Sequence, residues 1–385
     1  MQFNKERDIL RIAYALFEAE TTLKKTGRIK RITIPLSRET FLSINKIKLK
    51  KLLKELFLLI LIEDVQISFK KINDTKGRVK KEMKFPSKEA IALFSGGVDS
   101  YAGIKVSENQ YKNLLGLFVA HSDQGRIVGI VNRMKQFINT EIKTIYAPPM
   151  GSLGYSQLRG FLYILSAGVY LKLCKADKIL ITECGPTMYQ PLFSPYDSIT
   201  FTTHPYVLKI AMDVLEIMLG FTPKLVIPFE NLTKAEVMFN SGIKDYSKTH
   251  SCVSQRFGDH DGTCFGCVIR KLAGLVTGIK DVRYNNNVFD LNNNQDNLIN
   301  LLDYSKELLI NFNSMPSFQT DKINEFEKYN LFKRYAEDNL AGVMIGVNRK
   351  DRLYSYVSGI EKLLKKRILD VRKKTNKPDF NNYVK

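Results

Sequence analysis

The sequence has no tryptophan, only 4 histidines and 5 cysteines, and 39 acidic residues against 59 basic ones. Each scarcity excludes something. Five cysteines in 385 residues cannot form the disulfide framework of a small secreted domain. The longest unbroken apolar run, Leu56–Ile62, falls far short of the ~20 residues that span a bilayer. Met1–Arg7 lacks the apolar stretch of a signal peptide, so a soluble cytoplasmic protein with no membrane partner is expected. The acid deficit leaves a formal charge of +20, which suits anionic partners such as nucleotides or RNA. Runs such as Asn285–Asn287 and Asn292–Asn294 point to a general Lys/Asn/Ile bias, so a nucleic-acid partner is not favoured on charge alone. A hydrophobic content of 44% is enough to bury a sizeable core.

The hydrophobic grammar changes twice. Within residues 1–87, Arg7–Lys25 and Lys48–Leu61 have helical spacing, while Arg31–Leu36 and Val65–Phe69 alternate like strands. That is a small N-terminal α+β unit, followed by a charged linker or hairpin at Asn73–Lys84. In residues 88–280, short strands at Ala90–Phe94, Leu114–His121, Ile142–Ala147, Lys178–Glu183 and Lys224–Pro228 alternate with helices such as Val128–Ile138 and Gln157–Lys175. Strands separated by helices predict an α/β fold with a doubly wound parallel sheet, whose site lies at the carboxyl ends of the strands. Residues 281–385 read as a helical C-terminal extension. A polar, Asn-rich connection at Gly278–Gln295 reads as a mobile loop, and Leu298–Phe312, Asp321–Leu340 and Asp351–Val371 as helices. The last 25 residues carry nine basic residues against three acidic ones and read as a solvated helix end with a frayed tail. His121 and His204 fall at loop positions without an assigned role, and Cys174 reads as core.

The sharpest local pattern is Ser95-Gly96-Gly97-Val98-Asp99-Ser100, directly after one strand and directly before a helix. Adjacent glycines let a backbone turn tightly and approach a phosphate. The helix start supplies unpaired N–H groups and the positive end of its dipole. Asp99 repels phosphate, so its natural role is to hold the loop or help bind Mg²⁺. No Gly-Lys-Ser/Thr follows, and G-x-G-x-x-G is absent, so this is neither a Walker loop nor a dinucleotide fingerprint.

The second pattern is Cys252, then Cys264 and Cys267 as a C-x₂-C pair in a Gly/Asp-rich loop spanning 250–270. Three thiolates in one loop suit tetrahedral Zn²⁺ and a reducing compartment. The fourth ligand has to come from the same loop: His260 is the better candidate on chemistry, Asp261 the second.

Ser-Gly-Gly-Val-Asp-Ser resembles the loop of the PP-loop ATP pyrophosphatases, a HUP-like fold family that activates a carboxyl or carbonyl oxygen as an adenylate and releases pyrophosphate. The cysteine pattern, with Arg270 three positions on, is similar to the zinc knuckle of 7-cyano-7-deazaguanine synthase (QueC). There the pattern is Ser-Cys, eight residues, then C-x₂-C-x₂-C; here Asp261 stands at the second cysteine. Leu158-Arg159-Gly, Ile181-Thr-Glu183-Cys-Gly185 and Thr233-Lys234-Ala-Glu236 match the same family more loosely. The resemblance implies ATP, Mg²⁺ and Zn²⁺ as cofactors and Ser95–Ser100 as the pyrophosphate cradle. It further implies Asp99, Lys234 and Arg159 as catalytic groups, and Glu183 and Gly185 against a nucleobase.

The two flanking units look like those of QueC-like proteins in antiphage systems (Qat and type IV CBASS). For the type IV CBASS proteins, the resemblance implies that a 7-deazaguanine is joined to a partner protein's amino terminus. The expected activity is therefore ATP-dependent adenylation of 7-carboxy-7-deazaguanine followed by amide transfer. The rival expectations are the ammonia-using nitrile synthase, a tRNA-modifying PP-loop protein, and a non-catalytic nucleotide sensor.

Overall fold

Short apolar runs without a polar face are stable only with a covering layer on each side. The computed structural model, described for residues 4–61, 63–73, 85–121, 125–147, 156–189, 203–252, 260–291, 296–310, 325–381 and 383–384, arranges them that way. The N-terminal segment forms α1 (Asn4–Thr26), β1 (Arg31–Ser37), α2 (Arg38–Ser43), α3 (Lys46–Leu61) and β2 (Gln66–Ile72). β1 and β2 pair in parallel, from Arg31 opposite Gln66 to Ser37 opposite Ile72. The central segment forms β3 (Ala90–Leu93), α4 (Val98–Gln110), β4 (Leu114–His121), α5 (Gly125–Met134), β5 (Glu141–Ala147) and α6 (Arg159–Cys174). It continues through β6 (Lys178–Leu180), α7 (Gly185–Tyr189), α8 (Pro205–Leu219), β7 (Lys224–Val226), α9 (Lys234–Asn240) and α10 (Phe265–Thr277). Helices α11 (Asp296–Ile310), α12 (Glu325–Gly346) and α13 (Glu361–Arg372) follow, then the short strand β8 (Tyr383–Val384).

The main sheet has the order β5-β4-β3-β6-β7-β8 and is parallel except for β8. The chain winds outward from β3 to β5, then crosses back and resumes at β6 on the other side of β3. The topological switch point therefore lies between β3 and β6, where α/β sheets bind ligands. Alternate sheet residues feed two cores. Ala90, Ala92, Leu114, Phe118 and Val226 share one with α4, α5 and α9 to α13. Ile91, Leu115, Leu117, Ile179 and Leu225 share the other with α6, α8, α1 and α3. The N-terminal segment thus packs on α6 and α8 on one side of the sheet, and the C-terminal helices pack on α9 and α10 on the other. Among the described residues, no helix is long and apolar enough to cross a membrane.

Local chemistry sets the boundaries. His204 caps α8 by accepting Tyr206 N at 3.3 Å, Pro205 opens that helix, and Gly220 closes it at φ 76°. Cys174 lies in the core, as expected. The helix expected over Asp351–Val371 is instead a 3-10 turn at Arg352–Tyr356 followed by α13, because Gly359 between them takes the left-handed φ of 87°. The described residues of the tail are not frayed. Asp379 N donates to Pro228 O at 2.9 Å, and Tyr383 and Val384 pair antiparallel with Val226 and Leu225. Backbone pairing of a sheet edge, invisible to composition, overrides the charge. Residues 74–84 of the expected linker lie outside the described residues.

Candidate functional site

The turn after β3 sits at the switch point. Gly96 adopts φ 81°, a conformation that costs glycine little, and an added Cβ would lie 3.2 Å from Val131 Cγ2. Gly97 is the N-cap of α4 and offers no side-chain cap, so the first N–H groups of the helix receive no bond from it. Ser95 Oγ donates to Ser100 Oγ at 3.1 Å, and Ser100 Oγ donates to Gly97 O at 3.1 Å, closing the loop on itself. A dipole end, glycine backbone and two hydroxyls are groups of the kind that suit an anion.

The structure brings Asp99, Glu183 and Lys234 together, from α4, the end of β6 and the start of α9. Lys234 Nζ lies 2.5 Å from Asp99 Oδ2 and 4.0 Å from Glu183 Oε1. Burial pushes the Asp99 carboxyl up, but the Lys234 ammonium outweighs it and holds the group below its ordinary value. Lys234 is raised, because the Asp99 carboxylate overcomes its own desolvation. Glu183 is pushed up to about 8, first by burial and then by the Asp99 charge, against the pull of Lys234 and Arg159. The second Asp99 oxygen, Oδ1, is buried without a hydrogen-bond partner among the described residues. Cys184 completes this group and was not foreseen. Its Sγ lies 3.0 Å from Thr187 Oγ1, and burial pushes its thiol up to about 12, so it is a neutral thiol rather than a nucleophile.

The Glu183 shift has a measurable consequence. In metal-free protein the folded state keeps the Glu183 proton up to pH about 8, whereas the unfolded chain releases it near the ordinary glutamate value, pH ~4.3. The native state binds the extra proton across that window, so Glu183 makes stability fall as pH rises through it. Glu183→Gln is expected to flatten this part of the melting-temperature profile between pH 5 and 8. An unchanged slope would show that Glu183 ionises normally.

Arg159 opens α6, which covers the opposite face of the sheet from α4 and α9, yet its charge acts on Glu183. Its helix is capped from outside. Glu20 of α1, buried, accepts from Ser156 Oγ at 2.5 Å, Gln157 N at 2.7 Å and Leu158 N at 3.1 Å. Gly185 is buried, and its N–H is taken by Phe229 O and Leu232 O at 3.1 and 3.2 Å. A Cβ there would lie 1.9 Å from Glu230 O, so Gly185 brings β6 and the 229–232 turn into contact. His121 stacks on Phe17 with ring centroids 5.4 Å apart, a packing role.

The cysteine loop lies beside the cradle. Ligand atoms of Cys252, Asp261, Cys264 and Cys267, all buried, lie within 4.8 Å of one another. Cys264 Sγ and Cys252 Sγ are 3.9 Å apart, close to the ~3.8 Å between two sulfurs on one tetrahedral zinc. The donor set fits Zn²⁺. It corrects the expectation for His260, which stands outside the cluster. Its Nε2 faces Ser251 N and Arg270 Nη1, both at 3.1 Å, and burial, then Arg270, pushes the imidazole down to about 4. The backbone explains the swap. Asn285 N donates to His260 O at 2.8 Å and Asn286 N to Asp261 O at 3.0 Å, so these two residues of the Gly278–Gln295 connection, whose residues 292–295 lie outside the described residues, pin this turn. Gly262, at φ 89°, lets Asn286 approach. Arg270, 1% exposed, ties Asp281, Thr249 O and Tyr246 O to the same turn. His250 N donates to Gly96 O at 2.9 Å, so the cysteine loop touches the turn after β3 directly.

The fold and site together define a doubly wound α/β protein with a double-glycine turn, a part-buried lysine and two carboxyls at its switch point. No family model and no curated protein matches the chain. Among solved structures, the NMN synthetase from Francisella tularensis aligns over 43% of this chain and 81% of its own, with 14% identity and a TM-score of 0.23.

Proposed function

We propose that this chain is an ATP-dependent ligase of the PP-loop pyrophosphatase type, acting on 7-carboxy-7-deazaguanine. The observation that carries the reading is the Ser95–Ser100 cradle at the switch point with Lys234 placed against Asp99. The loop holds the β- and γ-phosphates of ATP. Lys234 and Arg159 offset charge as the substrate carboxylate attacks the α-phosphorus and pyrophosphate leaves. An amine then attacks the acyl-adenylate carbonyl and AMP departs, forming the amide. The buried, unpartnered Asp99 Oδ1 fits a hard cation, and Mg²⁺ held there would screen the phosphate charge. The cysteine cluster offers four protein ligands, a closed and therefore structural set. The two flanking units, packed on helices that cover the sheet, favour a protein amino terminus over ammonia as acceptor, since ammonia needs no docking surface.

The test is AMP release from Mg-ATP and 7-carboxy-7-deazaguanine, with and without ammonium and a candidate acceptor protein, followed by intact-mass analysis. The expected result is AMP formation with a mass increase on the acceptor. AMP with ammonium and a nitrile product would instead make this the biosynthetic synthase. ATP binding without AMP would leave a sensor, and salt-steep RNA binding a tRNA enzyme. Asp99→Asn is expected to remove AMP formation while the protein stays folded, because the neutral amide fills the same space.

A further inference from the structure

Lys234 is the first residue of α9, a helix of 7 residues. A helix that short has little stability of its own. Its N-terminus is a capping box: Thr233 Oγ1 accepts Glu236 N, and Glu236 Oε2 accepts Thr233 N at 3.0 Å. A capping box needs nothing more, yet the remaining oxygen of Glu236 is crowded with donors from the C-terminal extension. Arg367 Nη2 of α13 donates to Glu236 Oε1 at 2.8 Å, Arg334 Nε of α12 at 3.0 Å, and Asn376 Nδ2 at 2.8 Å. Arg367, 4% exposed, also forks onto Asp338 of α12, with Nε at 2.8 Å from Oδ1 and Nη2 at 3.0 Å from Oδ2. Asp338 closes the ring by accepting the Thr233 hydroxyl. Two arginines thus face three carboxylates around a single turn of helix, Glu236, Asp338 and, 4.0 Å from Arg367 Nε, Glu337.

Ion networks of this kind are poor sources of stability, because desolvation offsets most of the attraction. What a planar guanidinium fork adds over apolar packing is direction. We propose that Arg367 is a positioning residue for Lys234: through Glu236 and Asp338 it orients the turn from which the Lys234 ammonium reaches Asp99. The C-terminal extension is then part of the catalytic framework. The kinetic arm of the test rests on the ligase reading; the spectroscopic arm does not.

The experiment uses the full chain labelled with ¹⁵N-lysine. A buried, ion-paired ammonium exchanges slowly, and the Lys234 signal is assigned by its loss in Lys234→Arg. In Arg367→Lys, which keeps the charge and loses the fork, and in the milder Asn376→Ala, this signal is expected to shift or broaden. AMP formation is expected to fall about tenfold or more in kcat for Arg367→Lys, with KM for ATP within about threefold, since the cradle is untouched. An unmoved Lys234 signal in folded Asn376→Ala and Arg367→Lys protein overturns the proposal. So does a loss confined to melting temperature, with kcat of the folded fraction unchanged. If Arg367→Lys does not fold, Asn376→Ala decides alone. A shifted signal in protein that makes no AMP even as wild type upholds the positioning role and removes the ligase reading.

Discussion

Lys234→Ala is expected to lower AMP formation by about 10²–10³-fold, the usual loss when one preorganised charge is removed from a developing oxyanion. The geometry gives the reason. The ammonium is the cation nearest both carboxyls, 2.5 Å from Asp99 and 4.0 Å from Glu183. Without it, two acidic groups border the place where a polyphosphate must settle. Stability should suffer too, by less than the roughly 3–5 kcal/mol that removing one partner of a fully buried pair costs, because the Lys234 side chain is 16% exposed. The cost depends on pH in a known direction. With the ammonium gone, the folded-state pKa of Asp99 rises above its unfolded value, and that of Glu183, already raised, rises further. The native state then holds protons that the unfolded chain has released, so the deficit grows as pH rises through the carboxylate range and shrinks toward acid. Melting curves of wild type and variant at pH 5 and 8 check this: the gap should be wider at pH 8. A gap of equal size would mean that the pair is not ionic in the folded protein.

Much of this site was legible in the sequence, and what was not has a physical pattern. The strand, double glycine and helix start at 90–100 are contiguous, so period, turn chemistry and helix polarity could all be read locally. Thr233-Lys-Ala-Glu236 was also readable as a capping box. What could not be read were partnerships across sequence. Lys234 and Asp99 stand 135 positions apart, and Glu20 caps a helix that begins at Arg159. Arg367 sits in Lys365-Lys-Arg367, a run that looks like a solvated face until α12 and α9 close over it. β8 was lost for a related reason: a short edge strand needs only a neighbour's backbone, which leaves no apolar signature. His260 was favoured as a ligand on donor chemistry, but the choice was made by the backbone bonds that Asn285 and Asn286 give the turn. Those asparagines had been discounted as compositional bias.

The ligand set makes a prediction that separates the two candidate residues. Cys264→Ser and Cys267→Ser are expected to reduce bound zinc from about one per chain to a small fraction, and Asp261→Ala to do so partially, because three thiolates still hold the ion weakly. His260→Ala is expected to keep the metal, since its imidazole faces Arg270 and Ser251 N instead. Metal content of purified protein reads out all four. The consequence reaches beyond the loop. His250 N holds Gly96 O, and an added Cβ on Gly266 would lie 2.7 Å from Ser251 O, so α10, the 250–252 strand of loop and the cradle form one stack. Losing the ion frees that stack, and affinity for ATP should fall about tenfold, in line with the loss of a supporting shell around a site. Calorimetry with a non-hydrolysable ATP analogue measures it without turnover. Unchanged affinity in a metal-free, folded Cys267→Ser protein would break the link between cluster and cradle. A fall in affinity for His260→Ala with zinc retained would move the link to Arg270, which donates to the same nitrogen at 3.1 Å.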